Sequence, residues 1–421
     1  MMRVSSNPIA PCPPSAARLG AMTSTGHGTS IEDYFARLHA LIRPVPAETA
    51  PVQAGQVLAE AVTAQSAVPP QDNSAMDGFL TPPLDAPCSL QVIGDVPAGA
   101  PPLSPTPGTA VRIMTGAAVP DGFNGLVIPV EDTDVSAGPG PLPETVTIHR
   151  LPPRNHIRRR GSHIALGQEV AGPATLIDAP LLATLLSAGI STAQVHRIPR
   201  VAVIATGEEL LSGLLPDSNG PMLDALIAAT GPVNITRLCC GDDPTELRRV
   251  LDSVVQSDGG CDLIVTTGGV SAGAFDVVHT VLSQHGEHSW FGHVDQRPGA
   301  PQGHAVWDGV PVVCLPGNPV AAFVSAHLYL TPVLRSLRGL PRPTGSLDRP
   351  AITAVAGGEF RAAQHPRIQP CQLKFDGTVT AFPPPGPAMR SHHVGALPGT
   401  QGFALITESI TPGDTLTVYP Y

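Results

Sequence analysis

Large aromatic side chains are scarce in this sequence: ten Phe, four Tyr and two Trp in 421 residues. Hydrophobic cores must therefore be built mostly from Val, Leu, Ile and Ala. Charge is scarce as well, at 14% of residues, and 24 Lys and Arg against 34 Asp and Glu leave a formal net charge of -10. That balance is a poor match to DNA or RNA and argues against a nucleic-acid partner. A local basic pocket for a small anion is compatible with it, and nearly every basic residue is an arginine. The seven cysteines (Cys12, Cys88, Cys239, Cys240, Cys261, Cys314, Cys371) show no CxxC spacing. Their scatter fits reduced thiols in a cytoplasmic chain better than a disulfide framework or a zinc site. Cys239, Cys261 and Cys314 fall in apolar, strand-like runs, where core packing is expected. No 18-residue apolar stretch free of charge and Pro is present, so no membrane span is expected.

Turn-forming residues are abundant instead, with 43 Gly and 49 Pro. Without a collagen period, they imply many reversals and short strands. The length exceeds what one core organises and predicts two to four domains. Residues 1–28, rich in Ser, Thr, Pro and Ala, lack a signal-like apolar core and read as a disordered tail. A capped amphipathic helix begins at Ser30. Short runs such as "LQVIGDV" and "LVIPVED" make 52–157 a β-rich domain. Segments 29–51 and 158–198, with the helix-forming "DAPLLATLLSAGI", make a linking domain. Across 199–338, apolar strands at 201–206, 233–239, 262–267 and 310–315 alternate with helices at 219–229, 244–256, 276–285 and 319–338. That spacing predicts an α/β domain with a parallel sheet covered on both faces. Short β-like runs return over 339–421, a small C-terminal β domain of barrel-like character.

In an open parallel sheet, ligands bind beyond the carboxyl ends of the strands. Four unusual segments lie there. After the first strand, Gly207 permits a tight turn and is followed by Glu208 and Glu209. These are either first-turn helix residues favoured by the dipole or a carboxylate able to hold a divalent ion. In "GDDP", Asp243 can cap the next helix with Pro244 at its first position, which leaves Asp242 as the better site candidate. "TTGGVSAGAFD" ends a strand in glycines that expose amides to an anion. Gly268, Gly269 and Ser271 are its candidates, and Asp276 either caps the following helix or faces a cation. It matches neither a dinucleotide fingerprint nor a P-loop. "CLPGNPV" supplies Pro316, Gly317, Asn318 and Pro319, with Asn318 able to cap a helix. Three glycine-bearing exits and three isolated acids (Glu209, Asp242, Asp276) suggest one phosphate-binding, metal-assisted site. The β-rich domain adds "PPQDNSAMDGF" and "RIMTGAAVPDG", where Asp72 and Thr115 could make a second half-site or simply build turns. Arg158, Arg159 and Arg160 stand together before the α/β part, either solvated or as an anion clamp.

In order along the chain, "DNSAMDG", "RIMTGA.VP.G", "TG.EL", "DSN", "DD", "TTGGVS.G..D" and "LPGNPV" resemble the MoeA/gephyrin E-domain family of molybdopterin molybdenumtransferases, over roughly residues 30–420. The resemblance implies an elongated homodimer whose subunits have four domains. One of them is a MogA-like molybdopterin-binding fold; the β-rich domain faces the other subunit's site. It implies insertion of molybdate into adenylylated molybdopterin with release of AMP, assisted by Mg2+. It also implies onward passage of the product to proteins that mature molybdenum enzymes. By motif position, Asp72 and Thr115 would border the molybdate and substrate pocket. Glu209, Asp242 and Asp276 would handle metal and pyrophosphate. Asp217, Ser218 and Asn219 would form a substrate-binding turn, and the loop Pro316 to Pro319 would lie against the pterin, with Arg297 keeping a cation nearby.

The sequence departs from the family pattern at His163, where an acid is usual, and at His293 and Ala300, where lysines are common. A reference histidine is mostly uncharged at neutral pH and holds an anion less well than an ammonium. The alternative reading is therefore a divergent, catalytically weakened paralogue acting as a molybdopterin-binding or scaffold protein.

Overall fold

The computed structural model describes residues 28–270, 276–384, 390 and 392–421. The strands from the α/β region form one six-stranded sheet. Its order is Asn234–Cys240, Arg200–Thr206, Leu263–Thr267, Val310–Leu315, Pro301–Trp307, Glu287–His293. The first four are mutually parallel, as the strand–helix alternation predicts, and the last two add antiparallel pairings. Those two, absent from the sequence reading, run through "EHSWFGH" and "PQGHAVW", where histidines and glycines mask a strand pattern.

Side chains alternate across this sheet. Val201, Val203, Leu263, Val265, Val313 and Leu315 pack on one face against Leu223, Ile227 and Leu334. Ala202, Ile204, Ile264, Val312 and Cys314 pack on the other against Leu247, Leu251, Val278 and Leu282. The expectation of a fully covered sheet fails at Asn234–Cys240, an edge strand with several exposed positions. Cys239 is exposed there, which corrects its core assignment; Cys314 and Cys240 are buried.

The helix starts follow their sequence signals. Asp243 accepts from the amides of Thr245 (2.6 Å) and Glu246 (3.3 Å), with Pro244 in the first turn. Ser30 Oγ accepts from Asp33 N at 3.0 Å. Among the described residues, one helical stretch, Pro319–Leu337, is long and apolar enough to cross a membrane by length and composition. It is interrupted by Pro332 and Arg335, and 83% of it is buried inside the fold.

Ala47–Pro51 pairs antiparallel with Thr192–His196, and the helix Ala179–Ser187 packs beside them around Ile177, Leu185 and Val195. The β-rich region holds a five-stranded mixed sheet: Leu126–Pro129, Gly78–Thr81, Thr109–Ile113, Cys88–Val96, Thr145–Ile148. At the C-terminal end, Ile352–Ala356, Val379–Phe382, Arg367–Phe375, Gly402–Ile406 and Thr415–Pro420 close into a five-stranded barrel, which leaves no free sheet edge. The barrel is tied to the α/β sheet at Arg297, whose N–H donates to Pro366 O (2.8 Å) and whose carbonyl accepts from Ile368 N (2.8 Å).

Candidate active site

The strand order puts Arg200–Thr206 beside Leu263–Thr267, and the chain leaves these two strands toward opposite sides of the sheet. Such a switch point opens a crevice at the carboxyl ends. A cleft of about 1250 Å³ lies there. Its walls include Glu209, Asp217, Ser218, Asn219, Asp242, Gly268, Gly269, Asp276, Arg297 and the run Pro316 to Pro319. The strand-exit candidates thus converge, except Ser271, which lies outside the described residues.

Glycine is required where backbones nearly touch. Gly268 has φ +96°, and a Cβ there would stand 2.7 Å from Thr206 O. Gly207 is the start of the short helix Glu208–Leu211, and a Cβ on it would meet Glu209 Oε1 at 2.7 Å. The Glu209 carboxylate therefore folds over Gly207 on the cleft wall. Glu208 reaches the other way, toward Gly241, and is not part of that wall.

Asn219 ties the exits together. Its amide donates to Thr267 Oγ1 (2.9 Å) and to Gly317 O (2.7 Å), and Thr267 Oγ1 donates on to Pro316 O (3.2 Å). Asn219 and Thr267 are both buried, so these bonds fix the loops against each other. Asp217 turns its Oδ1 to Gly220 N at 2.8 Å. Asp242 Oδ2 accepts a long bond, 3.4 Å, from Glu208 N, so this acid also helps seat the first helix. Asn318 holds the N-cap position before Pro319 but makes no side-chain capping bond, contrary to expectation.

The β-rich motifs are arranged differently. Asp72 is buried, accepting from Arg159 Nη1 (2.6 Å) at one oxygen and from Arg160 N (2.7 Å) at the other. Burial alone would raise its pKa; the Arg160 amide and the Arg159 guanidinium outweigh that and hold it below the ordinary value. Thr115 donates from both its amide (2.6 Å) and its hydroxyl (2.8 Å) to Asp77 Oδ1, and those two bonds lower the Asp77 pKa. Neither Asp72 nor Thr115 lines this cleft.

Two family descriptions match the chain: "MoeA N-terminal region (domain I and II)" over residues 29–189 and "Probable molybdopterin binding domain" over 202–336. A curated relative, molybdopterin molybdenumtransferase 2 of Mycobacterium tuberculosis, is 35% identical over 390 residues, covering 87% of this chain and 92% of the relative. The molybdopterin molybdenumtransferase of a Nostoc species is 31% identical over 68% of each chain. The chain belongs to the MoeA family. Among solved structures, the molybdopterin biosynthesis MoeA protein of Pyrococcus horikoshii superposes with a TM-score of 0.70 at 25% identity, covering 94% of this chain and 99% of that one.

Against the MoeA pattern, the departures divide by position. Ala300 lines the cleft, whereas His293 and His163 are exposed positions outside its wall. Beyond Arg297, which the sequence pattern indicates, the cleft has lining residues that no motif in the sequence marks. His365, Arg367 and Arg390, from the C-terminal region, line the same cleft as the acids and Arg297. No strand-exit rule points to them, since they enter only where the barrel docks on the loop at 297. Among the described residues, no group of three or more His, Cys, Asp or Glu is gathered closely enough to hold a metal ion unaided.

Proposed function

We propose that this chain carries out the molybdopterin molybdenumtransferase reaction of its family in the rim cleft, inserting molybdate into adenylylated molybdopterin and releasing AMP. The observation that carries this is the convergence, in one cleft, of glycine-bearing strand exits and acids with Arg297, Arg367 and Arg390. Molybdate and a phosphoanhydride repel each other, and guanidinium groups offset that repulsion while positioning both anions. AMP is a stable leaving group, so positioning and charge compensation are the main demands on the protein. Gly268 and Gly269 let the backbone approach a phosphate, and the 316–319 loop is placed to lie against the pterin.

Glu209, Asp242 and Asp276 suit Mg2+ by the hardness of their oxygens and line the same cleft. This ion commonly takes one or two protein carboxylates and completes its shell with water and substrate phosphates. When bound, Mg2+ would supply charge neutralisation at the pyrophosphate.

The homodimer is part of the same reading. It is supported by the position of the Thr115 segment outside its own cleft, since a second copy could bring that segment to the rim. The cytoplasmic setting also belongs to the proposal, supported by the free thiols of the described cysteines. The domain boundaries and the onward transfer of the product to maturation proteins stand with it.

The test is incubation of the pure chain with adenylylated molybdopterin, molybdate and Mg2+. Molybdate-dependent AMP release is expected; binding of the nucleotide without release would leave only a binding role and overturn the proposal.

A further inference from the structure

The loop that carries Arg297 rests on an unusual buried floor. Gln296 and Gln302 are 1% and 0% exposed, and Tyr329 and Ser325 are fully buried. Tyr329 OH donates to Gln296 Oε1, and Gln296 Nε2 donates to Pro298 O at 3.1 Å. Gln302 Nε2 donates to Gly299 O (2.7 Å) and to Ser325 Oγ (2.6 Å). The two carbonyls after Arg297 are thereby drawn onto the core, while Arg297, Pro298 and Gly299 line the cleft. Gly299 has φ +84°, and a Cβ on it would stand 3.0 Å from Ser325 Oγ, so the loop is seated directly on this floor.

Two features are not explained by core packing. Gln302 Oε1 is buried without a hydrogen-bond partner among the described residues, a cost that an apolar side chain of similar volume would avoid. Tyr329 lies in a π-helical stretch, Ala326–Leu330, of the otherwise α-helical segment whose first turn, at Pro319 and Ala321, lines the same cleft. Such one-turn widenings occur often at functional sites.

We propose that Gln296, Gln302 and Tyr329 are positioning residues that hold the Arg297 loop at the depth where its guanidinium meets the anionic substrate. Their amides fix Pro298 and Gly299 from below, and the two bonds to Pro366 and Ile368 fix Arg297 from the barrel side. With both sides tied, the arginine's backbone is set before substrate arrives, and little ordering is left to do on binding. The effect on substrate rests on the proposed function; the restraint of the loop does not.

The experiment uses Gln302→Met, which nearly keeps the volume, and Tyr329→Phe, which removes one oxygen. If the first fails to fold, the second suffices. Hydrogen exchange followed by mass spectrometry reads the peptide over 294–301, where Val294 N donates to Ala300 O (2.7 Å) and Arg297 N to Pro366 O. Its exchange should quicken at least about tenfold in either variant, while that of the strands Arg200–Thr206 and Leu263–Thr267 stays as in the parent chain. Unchanged exchange in the loop overturns the proposal, whatever the activity. In steady-state assays the KM for molybdate or for adenylylated molybdopterin should rise about fivefold with less than about a twofold change in kcat. The same substitution should add nothing further in an Arg297→Ala background. A KM that moves only with Arg297→Ala overturns the positioning role and leaves the network as core structure. A parent chain with no turnover refutes the proposed function, and the exchange result still decides whether the network holds the loop.

Discussion

At the rim of the α/β sheet, polar side chains such as Glu209, Ser218 and Asp276 line an open cleft, whereas in the β-rich region Asp72 and Thr115 are committed to bonds within their own lobe. Both regions read as site candidates from their motifs, and both carry acids between glycines. The difference lies in what surrounds them. Parallel strands end together and leave their following loops facing one crevice. The β-rich motifs fall in turns that close on each other, so an aspartate there finds an arginine or an amide within reach. A dense polar motif therefore marks a ligand site more securely when the fold gathers its side chains around a cleft than when it turns them onto each other.

Removal of a cleft carboxylate should break this contrast most strongly. Glu209→Ala is expected to lower molybdate-dependent AMP release on the order of 100-fold while leaving the unfolding midpoint nearly unchanged, because the side chain is exposed. The two half-sites are tested together by mixing this variant with Thr115→Ala. If each cleft is completed by a second copy, subunit exchange should restore roughly a quarter of parental activity; no restoration would separate the β-rich motif from the site.

A smaller effect is expected at the buried tie. Asn219→Ala leaves Gly317 O and Thr267 Oγ1 without their donor and should cost about 2–4 kcal/mol in denaturant unfolding. An effect confined to kinetics would return Asn219 to direct substrate contact.

Asp72→Asn should act in the other region and mainly on stability, lowering it by about 1–3 kcal/mol at neutral pH. The folded-state pKa of Asp72 is depressed, so its contribution is present above the ordinary aspartate value of 3.8 and is lost as pH falls through the lower, folded value. The parent and variant should accordingly converge in stability in acid, measured by thermal unfolding across pH. Convergence at alkaline pH instead would contradict the assignment.

The smallest effects separate the family departures. Ala300→Lys places an ammonium on the cleft wall and should tighten oxyanion binding a few-fold, about 0.5–1 kcal/mol. His293→Lys, outside that wall, should leave the KM unchanged. A reversed order would mean that the cleft extends to the end of the Glu287–His293 strand.

Much of the architecture was legible because its signals are local. Strand ends at 206, 267 and 315 match within a residue, and Asp243 caps where proline and glutamate follow at the expected spacing. Legibility failed where burial depends on neighbours. Cys239 looks like core by its apolar run, yet it sits on an edge strand with one side uncovered. Pro301–Trp307 gains its strand conformation from pairing with Val310–Leu315, and Glu287–His293 from pairing in turn with Pro301–Trp307, not from propensity.

From the sequence alone came the order of the motifs, the glycines that allow close backbone approach, and the helix starts. Each of these depends on residues a few positions apart. Tertiary structure alone decided that Arg367 and Arg390 line the same cleft as Glu209, that Asn219 knots the strand exits, and that Asp72 turns inward. Those outcomes depend on which distant segments pack together, since hydrogen bonding and charge compensation act between neighbours in space, and no local spacing encodes who those neighbours are.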